Sequence, residues 1–155
     1  MNTLIVKQKL PISLQTAWDF LSDPQNLKTI TPKSMGFEIT SKNDGQKMYP
    51  GMIITYKVRP MLNIPVNWVT EITQVREGEY FIDNQKYGPY SFWHHQHYLK
   101  EIEGGVEMTD IVNYAAPFGI VGLMAEKIFI NKKVRGIFKY REKKLLELFG
   151  KYMHK

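Results

Sequence analysis

Hydrophobic residues recur at two different periods along this chain, and the changes of period divide it into three parts. Near the N-terminus Leu14, Ala17, Trp18 and Leu21 fall at i, i+3, i+4 and i+7, the spacing of one helix face. Ser13 ahead of them is a suitable N-cap, and Asp23-Pro24 opens a second short helix by pairing a capping acid with proline at the first helical position. Thr31-Pro32 stops that helix, and a strand closing at Lys7 to Leu10 precedes both. From Met35 to Ala116 the period becomes two: Met52, Ile54, Tyr56 and Val58 alternate with Ile53, Thr55, Lys57 and Arg59, and Trp68, Thr70 and Ile72 with Val69, Glu71 and Thr73. Turn residues at Asn43-Asp44-Gly45, Glu77-Gly78, Gly88-Pro89 and Gly104-Gly105 mark off five or six antiparallel strands. Beyond Pro117-Phe118-Gly119 the helical period returns. Leu123, Ile128, Val134, Ile137, Phe138, Leu145, Leu146 and Phe149 make a stripe up to Gly150, which predicts a helix of about thirty residues and roughly 45 Å. Gly136 lies inside the stripe and predicts a bend there or a close approach to the sheet.

A strand, two short helices, a run of antiparallel strands and one long amphipathic helix make an α+β domain. The long helix can bury its stripe only against one face of a curved sheet. The 155 residues suffice for a single domain spanning 1–155 with its own core, and 43% hydrophobic content with 23% charged residues is that of an ordinary globular protein. Cysteine is absent, which excludes disulfides, thiolate metal sites and thiol nucleophiles and suits a cytoplasmic protein. Only three consecutive apolar residues, Leu4 to Val6, precede Lys7, short of a signal-peptide core. No stretch approaches the roughly 18 apolar residues of a membrane span, so no integral membrane association is expected.

Charge is unevenly placed. From Lys127 to Lys155 ten lysines and arginines face two acids, a net of +8, which leaves 11 basic against 13 acidic residues elsewhere. A basic helix face of this kind attracts phosphate or anionic lipid, but opposite an apolar face it is ordinarily just the solvated side. The stripe lacks interleaved exposed aromatics and no DNA-reading motif occurs, so no nucleic-acid partner is expected.

The chemistry is concentrated between Phe81 and Tyr98, where three of the four histidines lie. Alternation projects Phe81, Asp83 and Gln85 from one strand and Trp93, His95 and His97 from the next, while His94 turns the other way. With Gly104-Gly105 as a two-residue hairpin turn, Glu103 pairs with Val106, Leu99 stands opposite Asp110, His97 opposite Val112 and His95 opposite Tyr114. Asp110 and Tyr114 then join the histidine face. If that face points inward it lines a cavity with polar anchors in an aromatic box, or else forms a self-satisfied network that fixes register. Leaving a buried carboxylate unpaired would cost several kcal/mol, so Asp83 or Asp110 beside a histidine is chemically sensible. His95 and His97 with Asp83 or Asp110 could also supply three metal ligands, but His-x-His on a strand is common without a metal, and neither a metal nor another cofactor is expected.

The order of elements resembles the helix-grip fold of the START/Bet v1-like superfamily, also called SRPBCC. The resemblance extends to Trp68-x-Thr70-x-Ile72, Phe81-x-Asp83-x-Gln85, Gly88-Pro89-Tyr90, Trp93-x-His95-x-His97, Asp110, Tyr114 and Pro117-Phe118-Gly119. These are similar to a bacterial subfamily labelled polyketide cyclase/dehydratase-like or cell-division-inhibitor-like. The resemblance implies a hydrophobic ligand held between a curved antiparallel sheet and the long C-terminal helix, though fold alone does not fix function. The expected function is binding of a small hydrophobic ligand by Tyr56, Trp68, Phe81, Asp83, Gln85, Trp93, His95, His97, Asp110, Tyr114, Phe118 and Met124. Met61-Leu62 and the segment Phe118 to Met124 are expected at the cavity mouth, and Trp18 in the core. The alternative is a cofactor-free cyclase, aromatase or dehydratase using His95, His97, Asp110 and Tyr114 as acid and base groups. A monomer and a homodimer are both compatible with the sequence.

Overall fold

The computed structural model describes residues 1–42, 45–59, 64–116 and 129–153. Strand β1 (Asn2–Leu10) is followed by α1 (Leu14–Leu21), a 3-10 turn (Pro24–Asn26) running into the single-turn α2 (Leu27–Ile30), and a further 3-10 turn (Lys33–Met35). Six strands follow: β2 (Glu38–Ile39), β3 (Ile53–Val58), β4 (Val66–Arg76), β5 (Tyr80–Tyr87), β6 (Phe92–Ile102) and β7 (Gly105–Ala115). The last described element is α3 (Asn131–Phe149). All seven strands form one antiparallel sheet in the order β1-β7-β6-β5-β4-β3-β2. This is the α+β architecture expected from the periodicity.

The helix signals work as their chemistry requires. Ser13 Oγ accepts from the Thr16 backbone N–H at 3.1 Å, and Asp23 Oδ1 accepts from Gln25 N–H at 2.9 Å with Pro24 in the first turn. α1 buries Ala17, Trp18 and Leu21, and the Trp18 ring meets Phe81 edge-on at 6.1 Å, so Trp18 is a core residue. α3 buries Val134, Phe138, Arg141 and Leu145, while Leu146 of the expected stripe faces outward. Its described part has 19 residues. Phe118, Leu123, Met124 and Ile128, the Met61-Leu62 tip and the Asn43-Asp44 turn lie outside the described residues.

The sheet curves because β4 and β5 slip against each other. Their register shifts between Val69 and Thr70 and again between Ile72 and Gln74, and an extra residue in one strand of a pair bends and twists it locally. The curved inner face can therefore wrap α3.

The β6–β7 hairpin corrects the expected register. Ile102 pairs with Gly105, so the two-residue turn is Glu103-Gly104, with Gly104 at φ +72°, and Gly105 belongs to the strand. Consequently His97 faces Asp110, His95 faces Val112 and Trp93 faces Tyr114. Gly105 is needed in the strand because a Cβ there would stand 2.1 Å from the carbonyl oxygen of Leu10, a backbone atom that no side-chain movement can clear. Gly136 is the opposite case. A Cβ there would meet nothing within 4 Å, so it is not a point of close approach to the sheet. Opposite signs are therefore expected in urea denaturation: Gly105→Ala should destabilise by about 3 kcal/mol or more, at or beyond the upper end of overpacking effects, whereas Gly136→Ala should stabilise by about 1 kcal/mol through helix propensity. Equal effects of the two substitutions would contradict this placement of the glycines.

Candidate functional site

Three neighbouring strands set the polar group in rows across the inner face. Phe81, His97 and Asp110 form one row, and Asp83, His95 and Val112 the next. Because side chains two apart on a strand share a face, both aspartates and both histidines converge. His97 Nε2 is 2.8 Å from Asp83 Oδ2, and His95 Nε2 is 3.1 Å from Asp110 Oδ1. The other ring nitrogens complete the square, with His95 Nδ1 3.5 Å from Asp83 Oδ2 and His97 Nδ1 3.0 Å from Asp110 Oδ1. This last contact has ion-pair distance without hydrogen-bond alignment. Phe81 stacks on His97 with ring centroids 4.0 Å apart, and Phe138 of α3 meets His95 edge-on at 5.4 Å.

Helix α3 adds a member that sequence reasoning counted among the solvated basic residues. Arg141 is only 7% exposed and its Nη1 lies 3.4 Å from Asp110 Oδ1. A signal was present: Arg141 follows Val134 by seven positions and Phe138 by three, and precedes Leu145 by four, which puts it on the apolar stripe. A buried cation there calls for a buried anion on the facing sheet.

These contacts set the protonation preferences. Burial opposes ionisation of Asp110, but the Arg141 guanidinium and both imidazoles outweigh it and hold the carboxyl well below the usual carboxylate range. Asp83 is likewise lowered despite its burial, chiefly by the His97 hydrogen bond. Burial, helped by the adjacent His97, pulls His95 down to about 4 and leaves it neutral. For His97 the same desolvation is outweighed by Asp110 and Asp83, and its pKa is raised. Two carboxylates thus face the Arg141 guanidinium and a His97 biased toward its protonated form. Asp83, His95 and His97 each offer one metal-ligand atom, and these atoms lie within 4.8 Å of one another.

A cavity of about 120 Å³ lies between this inner face and α3. Its wall includes Tyr56, Trp68, Phe81, Asp83, Trp93, His95 and His97 of the expected set. The rest is mostly apolar, from Ile54, Val58 and Ile72 on the sheet and Ile137 and Phe138 on α3. Arg141 also lines it, as do Met35, Phe37 and Met48, which sequence reasoning missed because their position depends on the path of irregular segments around β2. Trp68 packs edge-on against Trp93 at 5.2 Å, and the Tyr56 hydroxyl is hydrogen-bonded to Thr70 Oγ1. Three buried nitrogens of wall residues have no hydrogen-bond partner among the described residues: Trp68 Nε1, Arg141 Nε and His97 Nδ1.

Three expected positions are not part of the wall. Gln85 closes the loop ahead of β6, donating from Nε2 to the Tyr90 carbonyl at 2.7 Å and accepting from Tyr90 N–H at 3.3 Å. Tyr114 shares the inner face, but its hydroxyl donates to Asn131 Oδ1 at 2.8 Å and it is not part of the wall. Asp110 is also absent from the wall and holds both histidines and Arg141. Phe118 and Met124 lie outside the described residues.

No protein-family model matches the chain, and no curated protein matches it in sequence. Solved structures do match its shape. CV1439 from Chromobacterium violaceum superimposes with a TM-score of 0.74 over 98% of this chain and 100% of that one, at 10% identity. Ara h 8.0201 does so with a TM-score of 0.61 over 94% and 98%, at 16% identity. The chain has a Bet v1-like helix-grip fold. Ms6760 from Mycobacterium smegmatis is similar to this helix-grip chain as well, with a TM-score of 0.65 over 94% and 92% at 18% identity. Likeness at these identities establishes the helix grip and leaves the chemistry to the side chains. Among the described residues no helix is long and apolar enough to cross a membrane.

Proposed function

We propose that the chain binds a small, largely apolar molecule in the cavity between the sheet and α3. The observation that carries this reading is the cavity between sheet and α3 itself, whose wall is mostly apolar but includes Asp83, His95 and His97. Apolar residues dominate the wall, so the body of the ligand is hydrocarbon or aromatic and its few polar atoms meet Asp83, His95 and His97. The volume suits a compact molecule, since an apolar cavity of roughly 150 Å³ takes up benzene. Asp83, His95 and His97 offer directional hydrogen bonds to those polar atoms.

Native mass spectrometry of the chain as purified tests this. The expected spectrum contains a population heavier than the polypeptide by one small organic molecule, lost on denaturation and recoverable by solvent extraction. A spectrum holding only the bare polypeptide, from protein that also fails to take up benzene or comparable small apolar probes, would contradict the reading.

A further inference from the structure

We propose that Asp83, His95 and His97 form a site for one divalent transition-metal ion, open toward the cavity. All three belong to the cavity wall, and their ligand atoms lie within 4.8 Å of one another. At a zinc ion with bonds of about 2.0–2.1 Å, tetrahedral ligand atoms stand roughly 3.4 Å apart. Asp83 Oδ2 is 2.8 Å from His97 Nε2 and 3.5 Å from His95 Nδ1, so the ion needs only small side-chain adjustments.

The far side of both imidazoles strengthens the assignment. His95 Nε2 and His97 Nδ1 lie 3.1 Å and 3.0 Å from the same atom, Asp110 Oδ1, which Arg141 in turn holds. A ligating histidine ordinarily gives its second ring N–H to a carboxylate, which fixes the tautomer and aims the free nitrogen at the metal. Here one carboxylate serves two histidines. His95 Nε2 is hydrogen-bonded to Asp110 and His97 Nδ1 lies beside the same oxygen, so in a metal-bound form the lone pairs of His95 Nδ1 and His97 Nε2 would meet Asp83 Oδ2 around one cation. Charge leads to the same place. Asp83 and Asp110 are two carboxylates set against the one permanent cation Arg141, so the buried cluster draws a further positive charge. A proton shared by His97 and Asp83 supplies it in the metal-free chain, and a divalent ion supplies it with room for a ligand oxygen or water at the open position. Two imidazoles and one carboxylate suit zinc or ferrous ion and disfavour magnesium and calcium.

The test uses the full chain without a histidine tag, stripped with chelator and titrated with zinc by calorimetry and with cobalt(II) by visible absorption. One ion per chain is expected, with cobalt bands of a low-coordinate nitrogen and oxygen site. His97→Gln and Asp83→Asn should each weaken binding at least about tenfold, since loss even of an outer-shell partner ordinarily weakens a site 10–100-fold. His94→Gln, on the outer face where Nδ1 contacts Asn84 Oδ1 at 2.6 Å, should leave binding unchanged. Folded wild-type protein that takes up neither ion would overturn the proposal without any variant. So would binding that survives His97→Gln but is lost with His94→Gln. Because zinc uptake is read without an organic ligand, a chain that binds benzene but no metal defeats this inference and leaves the ligand reading standing.

Discussion

Replacing Asp110 with alanine is expected to destabilise the folded chain by about 3–5 kcal/mol, the range for removing one partner of a buried ion pair. Asp110 is 6% exposed and is the common anchor for His95, His97 and Arg141. Alanine would leave the guanidinium without a counter-ion on the apolar stripe of α3, and the His95 Nε2 N–H without its acceptor. For a chain of this size the loss lowers the melting temperature by on the order of 10 °C. Arg141→Met in the same background should restore part of the stability, because it removes the orphaned cation and puts a side chain of similar length on the stripe. Urea denaturation of the wild type, the single variant and the double variant checks this. A loss below about 1 kcal/mol in the single variant, or a double variant less stable than the single, would mean that the cluster does not hold sheet and helix together.

The second large effect concerns occupancy. Val58 is 1% exposed, lies on β3 and forms part of the cavity wall. Phenylalanine at this position directs a ring into the open space and competes with any bound molecule. Affinity for benzene should fall at least tenfold, equivalent to about 1.4 kcal/mol of binding free energy. Stability should stay within about 1 kcal/mol of wild type, below the 1–3 kcal/mol typical of overpacking a filled core. If Val58→Phe destabilises by several kcal/mol and leaves affinity unchanged, the space beside Val58 is not where ligand sits.

Much of this arrangement is legible in the residues, and the parts that are not have definite physical reasons. Alternation alone separates His95 and His97 from His94, since period two holds wherever a strand forms. Asp110 was placed on the correct face from an incorrect register, because the hairpin is offset by two residues and only an odd slip exchanges faces. The error lay in which glycine takes the turn. Gly104 and Gly105 look alike in sequence, and the close approach of the Leu10 carbonyl that keeps a side chain out of position 105 is a tertiary contact. Gln85 shows the limit of the alternation argument: its face was right, but a nearby loop satisfied its amide first. Arg141 is harder to read, because a cation on a basic helix looks solvated until its place on the stripe is set against a buried aspartate. Met35, Phe37 and Met48 carry no periodic signal, because irregular chain brings them to the wall.

The most direct measurement is a benzene titration of the wild-type chain followed by methyl NMR. The account predicts saturable one-to-one binding, with shift changes concentrated on Ile54, Val58 and Ile72 at the cavity wall and weakened in Val58→Phe. Shifts that fail to saturate, or that fall on outward-facing methyls such as those of Ile5 and Ile53, would contradict it.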